Sequence, residues 1–282
     1  MADIYKQIAS NMEDMSNAQI KIAEYLINHS SSAPFLTAGK LAKMSEVSAA
    51  TVVRFAAFLG FSGYAELQEE LQNSVQQQLT TFQRLKLSQN VYSKETGVYE
   101  IFQDDLANLQ RTMENLDAQV FQQAVDTILR ADRIFILANR SAASLGMFLN
   151  YYLGMMFEHV VQLQSLENAS EKLADLSESD AVIGLSFSRY TKSTVEMFAY
   201  ANSHHASTIA ITDQLRSPLT PHADISLLAA SQMPSFIDSF TAPLSLINAL
   251  LTVIGKEMQT DIQHRLQGLE DIWNHFNVFH HS

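Results

Sequence analysis

The stretch Ala181-Val182-Ile183-Gly184-Leu185-Ser186-Phe187-Ser188-Arg189-Tyr190-Thr191-Lys192 passes from an apolar run through a hydroxyl-rich turn into a segment with Val195, Phe198 and Ala199 on one helical side. The first five residues lack polar alternation, which predicts a strand buried on both faces, and the spacing after Thr191 predicts a helix. Ser186, Ser188 and Thr191 then stand at a helix N-terminus. Unpaired N–H groups and the positive end of the helix dipole favour an anion there, and hydroxyls add donors. Capping is the plainer role for any one of these residues. A cap needs one hydroxyl and this turn holds three, so the sharper expectation is a phosphate cradle.

Working outward, further apolar runs occur at Ile134–Leu137, Val160–Leu163, Thr208–Ile211 and Ile225–Leu228, with helical patterns between most of them. That alternation predicts an α/β domain with a five-stranded parallel sheet and helices on both faces. Ligands of such folds bind beyond the carboxyl ends of the strands, where the loops 138–144, 186–191 and 212–217 would gather. Arg140, Ser141 and Ser144 are candidate phosphate donors in the first loop, although Arg140 could equally pair with an acid of a neighbouring subunit. In the third loop Asp213 is a candidate acceptor for sugar hydroxyls. Ser217-Pro218 reads better as a helix start, with serine as the cap and proline at the first position.

A chain of 282 residues with 47% hydrophobic content has enough apolar residues for one large core and one small one. It contains no cysteine, which excludes disulfides and thiolate metal sites. Apolar runs fall short of the ~18 residues a membrane span needs, and Met1-Ala2-Asp3-Ile4-Tyr5 lacks a signal-peptide pattern. A cytoplasmic protein without membrane partners is expected. The net charge of −12 argues against a broad basic surface for nucleic acid. Residues 1–80 hold five Lys or Arg against eight Asp or Glu, so any DNA contact must be local and reinforced by symmetry.

The N-terminal segment is nevertheless organised as short helices. Ser16-Asn17-Ala18-Gln19 has the form of a capping box, followed by Ile20, Ala23 and Ile27 at helical spacing. Thr37 can cap a second helix to about Ala42. After a turn at Ser45-Glu46-Val47, Ser48 can cap a third, running to about Leu59 and stopped by Gly60. Two short helices joined this way form a helix-turn-helix pattern. At 100° per residue Val52, Phe55, Ala56 and Leu59 share the inner side of the third helix, while Ala50, Arg54 and Ala57 point outward. A reader of the major groove would present Ser48, Ala49, Ala50, Thr51 and Arg54, with Thr37 and Lys40 of the preceding helix as further DNA contacts. A small helical cap with one solvated arginine is the bland alternative.

The run 180–229, with SFSRYT (186–191), IAITD (209–213), SPL (217–219) and AD (223–224) in order, resembles the sugar isomerase (SIS) domain of RpiR-type transcriptional regulators. SAATVVRF (48–55), LGFSGY (59–64) and Leu67 are similar to that family's recognition helix and the turn after it. The resemblance implies a DNA-binding regulator whose SIS domain senses a phosphorylated sugar, with operator DNA and a second copy of the chain, as homodimer or homotetramer, as partners. It implies no cofactor. It also implies that Ser239 faces the pocket from its mouth, and that the apolar helix with Leu244, Ile247, Leu251 and Ile254 forms dimers. Three departures stand out. Ala138 replaces the glycine usual after the first strand, Ala142 replaces a serine, and Ala56-Ala57 stands where relatives often carry a basic residue.

The expected division is a helix-turn-helix domain over 1–78, a Gln-rich linker over 79–98 with Gly97 as a break, and a SIS domain over 99–282, in which Leu106, Leu109, Met113 and Leu116 resume helical spacing. An isomerase would need a general base beside the sugar. His204, His205, His222, Glu257 and His264 are the candidates and none lies in an assignable motif, so the expectation is a sensor rather than an enzyme. The alternative is a sugar-phosphate isomerase, or a sugar-phosphate-binding protein that does not bind DNA.

Overall fold

A computed structural model describes residues 4–30, 32–76, 80–164 and 166–280. Leu79, the first position of the expected linker, and residues 281–282 at the end of the expected SIS domain lie outside them. The chain divides into two compact units, one of residues 1–103 with 233–238, the other of 104–232 with 239–282.

The first unit is helical. It contains α1 (Ile4–Ser10), α2 (Asn17–Asn28), α3 (Ala38–Met44), α4 (Ala49–Phe58), α5 (Tyr64–Gln76) and α6 (Thr81–Val91). The Ser16/Gln19 capping box forms as expected, and Thr37 and Ser48 cap α3 and α4 by accepting from the N–H of Lys40 and Thr51. Ile8, Ile22, Leu26, Leu41, Val52, Phe55, Leu67 and Leu71 are fully buried in one core. Each such side chain contributes roughly 1.5–3 kcal/mol of burial. Gly60 follows α4 at φ +92°, where any side chain would be strained.

The expected linker is more ordered than its composition indicates. Thr80 and Gln83 form a second capping box that starts α6. Arg84, only 4% exposed, donates Nε to Ser235 O (2.8 Å) and Nη2 to Ile237 O (2.9 Å) and Asp238 Oδ1 (2.5 Å). A buried arginine is tolerated because these acceptors satisfy its fork. Gly97 does not break a helix but begins one, α7 (Gly97–Glu114), and the division between units falls inside it.

The second unit continues with α8 (Ala118–Arg130), β1 (Arg133–Ala138), α9 (Ala143–Met156), β2 (Val160–Leu163), α10 (Leu166–Leu173), β3 (Asp180–Leu185), α11 (Lys192–Ser203), β4 (Ser207–Thr212), β5 (Ile225–Leu228), α12 (Thr241–Glu257) and α13 (Gln259–Phe276). All five expected strands form one parallel sheet in the order β2-β1-β3-β4-β5. Alternate residues face opposite layers. Ile134, Ile136, Ile183, Leu185, Ile209 and Ile211 pack with α8, α9 and α12, while Phe135, Leu137, Val182 and Ala210 pack with α11. Gly184 is required by close approach, since a Cβ there would lie 2.6 Å from the Phe198 ring.

Three expectations are corrected. Ile247, Leu251 and Ile254 of α12 are buried in the unit's own core, with Leu244 partly so, and therefore do not form an outward dimer face. Leu106 and Met113 of α7 point to solvent instead of the core. The polar side of α7 is the buried one: Asn108 Nδ2 donates to Gln232 O (2.7 Å) and Thr112 Oγ1 accepts from Ala230 N (2.9 Å). Lastly, no α-helix starts at Ser217-Pro218. Ser217 instead caps a short turn, accepting from Leu219 N (3.3 Å) and from the Thr212 hydroxyl (2.8 Å).

At the amino ends of β1 and β3, Arg133 grips the buried Asp180 with two bonds of 2.7 Å, and Ser177 adds its N–H (2.8 Å) and hydroxyl (3.0 Å). Burial opposes the Asp180 charge, but these donors outweigh it and hold the carboxyl below its ordinary pKa. We predict that Asp180→Asn destabilises the fold by roughly 2–3 kcal/mol, less than for a fully buried pair because Arg133 keeps solvent access. Because the native pKa is depressed, this contribution is present above about pH 4 and is lost as pH falls through the native value. The difference in Tm between wild type and Asp180→Asn, followed from pH 6 downward, should shrink below pH 4. A constant difference would show that the pair is not the source.

Candidate functional site

In the helical unit, α3 and α4 are joined by the turn at Ser45, Glu46 and Val47, with Glu46 in the left-handed region (φ +55°) and Val47 N–H bonded to Ala42 O (2.9 Å). Val52, Phe55, Ala56 and Leu59 are buried, while Ala49, Ala50, Arg54 and Ala57 are exposed, as the face arithmetic requires. Since Ala56 is core, only Ala57 leaves the outer face short of a cation. Val53, omitted from the expected contacts, is exposed on α4 and adds a methyl-bearing surface suited to thymine.

Local bonds pre-order several expected DNA contacts. Ser48 Oγ accepts from Thr51 N–H (3.2 Å) and shares a bond with Thr51 Oγ1 (2.8 Å), to which Arg54 Nη2 also donates (3.2 Å). Arg54 thus lies along the first turn of α4. Thr37 is committed as a cap. Lys40 is engaged elsewhere, donating Nζ to Val91 O (2.8 Å) and pairing with Glu100 (3.2 Å), so a phosphate would have to displace an ion pair. The Thr96 hydroxyl and then Lys40 hold the Glu100 carboxyl below its ordinary pKa.

In the sheet unit, the strand order reverses between β1 and β3, whose ends align as Ala138 with Leu185. Loops leaving adjacent strands to opposite sides open a crevice at such a point. The β3 loop places Ser186 (4% exposed) and Ser188 (8% exposed) here, and among the described residues neither side-chain hydroxyl has a protein partner. Thr191 is the N-cap residue of α11, yet its side chain makes no capping bond. The capping alternative therefore fails for the three hydroxyls, and α11 leaves its first N–H groups without a side-chain acceptor from its cap residue.

The β1 loop differs from expectation in detail. Ala138 and Ala142 are buried in the core, so neither methyl fills the crevice in place of the usual glycine or serine. The left-handed position is Arg140, at φ +55°. Ser144 Oγ is committed to Ser141 O (2.8 Å), which removes it as a donor, and Ser141 is exposed. Asn139 is buried and donates to Thr194 Oγ1 (2.8 Å), tying this loop to the first turn of α11.

Residues missed from sequence surround the cradle. Arg189 occupies a second left-handed position, φ +63°. A side chain there costs on the order of 1–2 kcal/mol that glycine would avoid. The signal available was its place in a serine-rich turn, where glycine is the conformationally easy choice. Tyr190 donates to Asp213 Oδ1 (2.6 Å) and accepts from Gln214 Nε2 (2.9 Å). Burial, and then the Asp213 carboxylate, raise the Tyr190 pKa well above the ordinary tyrosine range, keeping the phenol a donor. Asp213 is thus already engaged, and Ser239, buried, donates to Asp105 rather than standing open at a pocket mouth.

One of the candidate bases, His204, stands away from the β3 turn. His204 Nδ1 bonds Tyr200 O (2.9 Å) and its ring stacks on Tyr200 at the far end of α11. Among the described residues no group of three or more His, Asp or Glu could hold a metal, and no helix is long and apolar enough to cross a membrane.

Comparison with known proteins agrees with both units. Residues 2–78 match the family model for the helix-turn-helix domain of the rpiR family, and residues 127–253 match the SIS domain. The chain is 24% identical to the HTH-type transcriptional regulator HexR of Pseudomonas aeruginosa, over 96% of this chain and 95% of that protein. The sugar isomerase domain of an RpiR transcription factor from Sphaerobacter thermophilus superposes with TM-score 0.60 at 26% identity, covering 63% of this chain and 99% of that one. The Vibrio vulnificus NanR protein complexed with ManNAc-6P shares the fold over 97% of this chain and 98% of its own, with TM-score 0.60 at 20% identity. With the helix-turn-helix and SIS folds in this order along one chain, the protein belongs to the RpiR-type family of transcriptional regulators.

Proposed function

We propose that this chain is a DNA-binding regulator that reads an operator with α4 and is controlled by a phosphorylated sugar held at the β1/β3 crevice. The observation that carries the ligand half is that Thr191 heads α11 without capping it, beside two mostly buried serines whose hydroxyls have no partner among the described residues. A tetrahedral anion satisfies all three and the helix dipole together. The exposed first turn of α4, with Arg54 laid along it, supports the DNA half. The ligand of the NanR neighbour, ManNAc-6P, agrees in class with the proposed cradle. The names of the relatives, HTH-type transcriptional regulators, favour sensing over catalysis.

Self-association is part of the proposal. Val98, Tyr99, Phe102, Leu106 and Met113 expose an apolar stripe along α7, and pairing two copies there would match the symmetry an acidic DNA reader needs.

Three outcomes test this reading. Ser188→Ala should weaken sugar-phosphate binding in calorimetry by roughly 1–3 kcal/mol with an unchanged Tm, since a buried hydroxyl bond to the anion is lost. Unchanged affinity would remove Ser188 from the site. Arg54→Ala should abolish sequence-specific operator binding, at matched salt, while sugar-phosphate affinity stays at the wild-type value. Saturating sugar phosphate should shift operator affinity by about 5- to 150-fold in one direction, the ordinary range of a coupling between two sites. Identical operator affinity with and without a ligand already shown to bind would end the sensing mechanism.

A further inference from the structure

Resting on the ligand site proposed above, we infer that residues 229–240 form a strap that transmits occupancy of the β3 turn to α6, with Arg84 as the residue that fastens it. The strap joins β5 to α12 and contains no helix or strand of its own. Both of its ends are tied to the turn that holds Ser186 and Ser188. At the first end, Thr212 Oγ1 donates to Ser186 O (2.7 Å) while Thr212 O accepts from Ala229 N (2.8 Å), so one buried residue of β4 bonds the turn and the strap together. At the other end the ring of Phe240 lies 5.3 Å from that of Phe187, which stands between the two serines. A ligand held by those serines bears on both roots of the strap.

The middle of the strap, residues 233–238, belongs to the helical unit, although its ends belong to the sheet unit. There Arg84 of α6 takes the carbonyls of Ser235 (2.8 Å) and Ile237 (2.9 Å) and the Asp238 carboxylate (2.5 Å) from a position only 4% exposed. Without helix or strand partners these carbonyls need side-chain donors, and one guanidinium supplies them. Within the sheet unit α7 holds the flanks. Thr112 Oγ1 accepts from Ala230 N (2.9 Å), Asn108 and Arg111 donate to the Gln232 carbonyl (2.7 Å) and side chain (2.6 Å), and Ser239 donates to Asp105. Phe236 and Ile237, at the tip, leave about half of their surface exposed, so residues 235–238 are fastened by directional bonds that fix one register and that water can replace. Coupling requires one element that both sites bias. This segment qualifies, since its roots are bonded or packed to the ligand turn and its middle is bonded to the helix that follows α5.

The test uses the full chain, a duplex that it selects from random DNA, and glucose 6-phosphate, fructose 6-phosphate and N-acetylglucosamine 6-phosphate as probes. A probe that binds should change wild-type affinity for the duplex by about 5- to 150-fold, and Arg84→Met should reduce that change to about twofold or less while binding the probe within about threefold of wild type. Arg84→Lys, which can keep one of the three bonds, should fall between the two. A change of wild-type size in Arg84→Met would overturn the strap as transmitter and leave the ligand site standing. Loss of probe binding in a folded Arg84→Met would make Arg84 part of the site's own framework, which also overturns it. If Arg84→Met does not fold, hydrogen exchange on the wild type decides: bound probe should alter exchange in 229–240 and in α6 together, and a response confined to the β3 turn would overturn the inference. A probe that binds without changing wild-type affinity for the duplex would end the sensing reading and this inference together. Failure of all three probes to bind would remove the ligand site as well.

Discussion

A parallel sheet covered by helices on both faces has room for polar chemistry only at its strand ends, and that constraint orders the second unit. β1, β3 and β4 are buried nearly along their whole length, so a charged side chain within them would lie in an apolar layer. The two ends are used differently. The amino ends of β1 and β3 are closed by the Arg133–Asp180 grip, which satisfies its charges internally. At the carboxyl ends, among the described residues, the Ser186 and Ser188 hydroxyls have no partner and Thr191 does not cap α11, which is what supports the proposed solute site there.

The same contrast between satisfied and unsatisfied groups separates the expected site residues. Thr37, Ser48, Ser144 and Ser239 all carry hydroxyls in suggestive places, and each is committed to a backbone or side-chain partner. Ser186, Ser188 and Thr191 are not committed in this way. Hydroxyl count in a loop is therefore a weak guide, since tertiary partners decide which hydroxyls stay uncommitted. Lys40 shows the same point for cations, since its charge is engaged by Glu100 and Val91 O while Arg54 stays on the exposed side of α4.

Composition misled where polar residues build structure instead of avoiding it. The Gln-rich segment after α5 has few core residues, yet Gln83 completes the capping box of α6, and Arg84 is buried because three acceptors of residues 235–238 converge on it. In α7 the apolar spacing pointed to a buried stripe, but Asn108 and Thr112 turn inward to hold the segment after β5. An amphipathic pattern states that two sides differ. It does not state which side a neighbouring chain segment will claim.

The sequence by itself determined the five strands, the order of helices around them, the capped helix pair of the N-terminal unit and the hydroxyl-rich turn after β3 that we propose as an anion cradle. These follow from periodicity, capping residues and burial patterns, all of which act over a few neighbouring positions. Only the tertiary structure decided which candidates stand open. The commitment of Asp213 to Tyr190, the inward turn of the Ala138 and Ala142 methyls, the burial of the α12 residues and the left-handed backbone of Arg140 and Arg189 depend on segments distant in sequence or on local dihedrals that residue type leaves free. A hydrogen bond between residues 23 positions apart exists only once two strands lie side by side, and no local pattern carries that information.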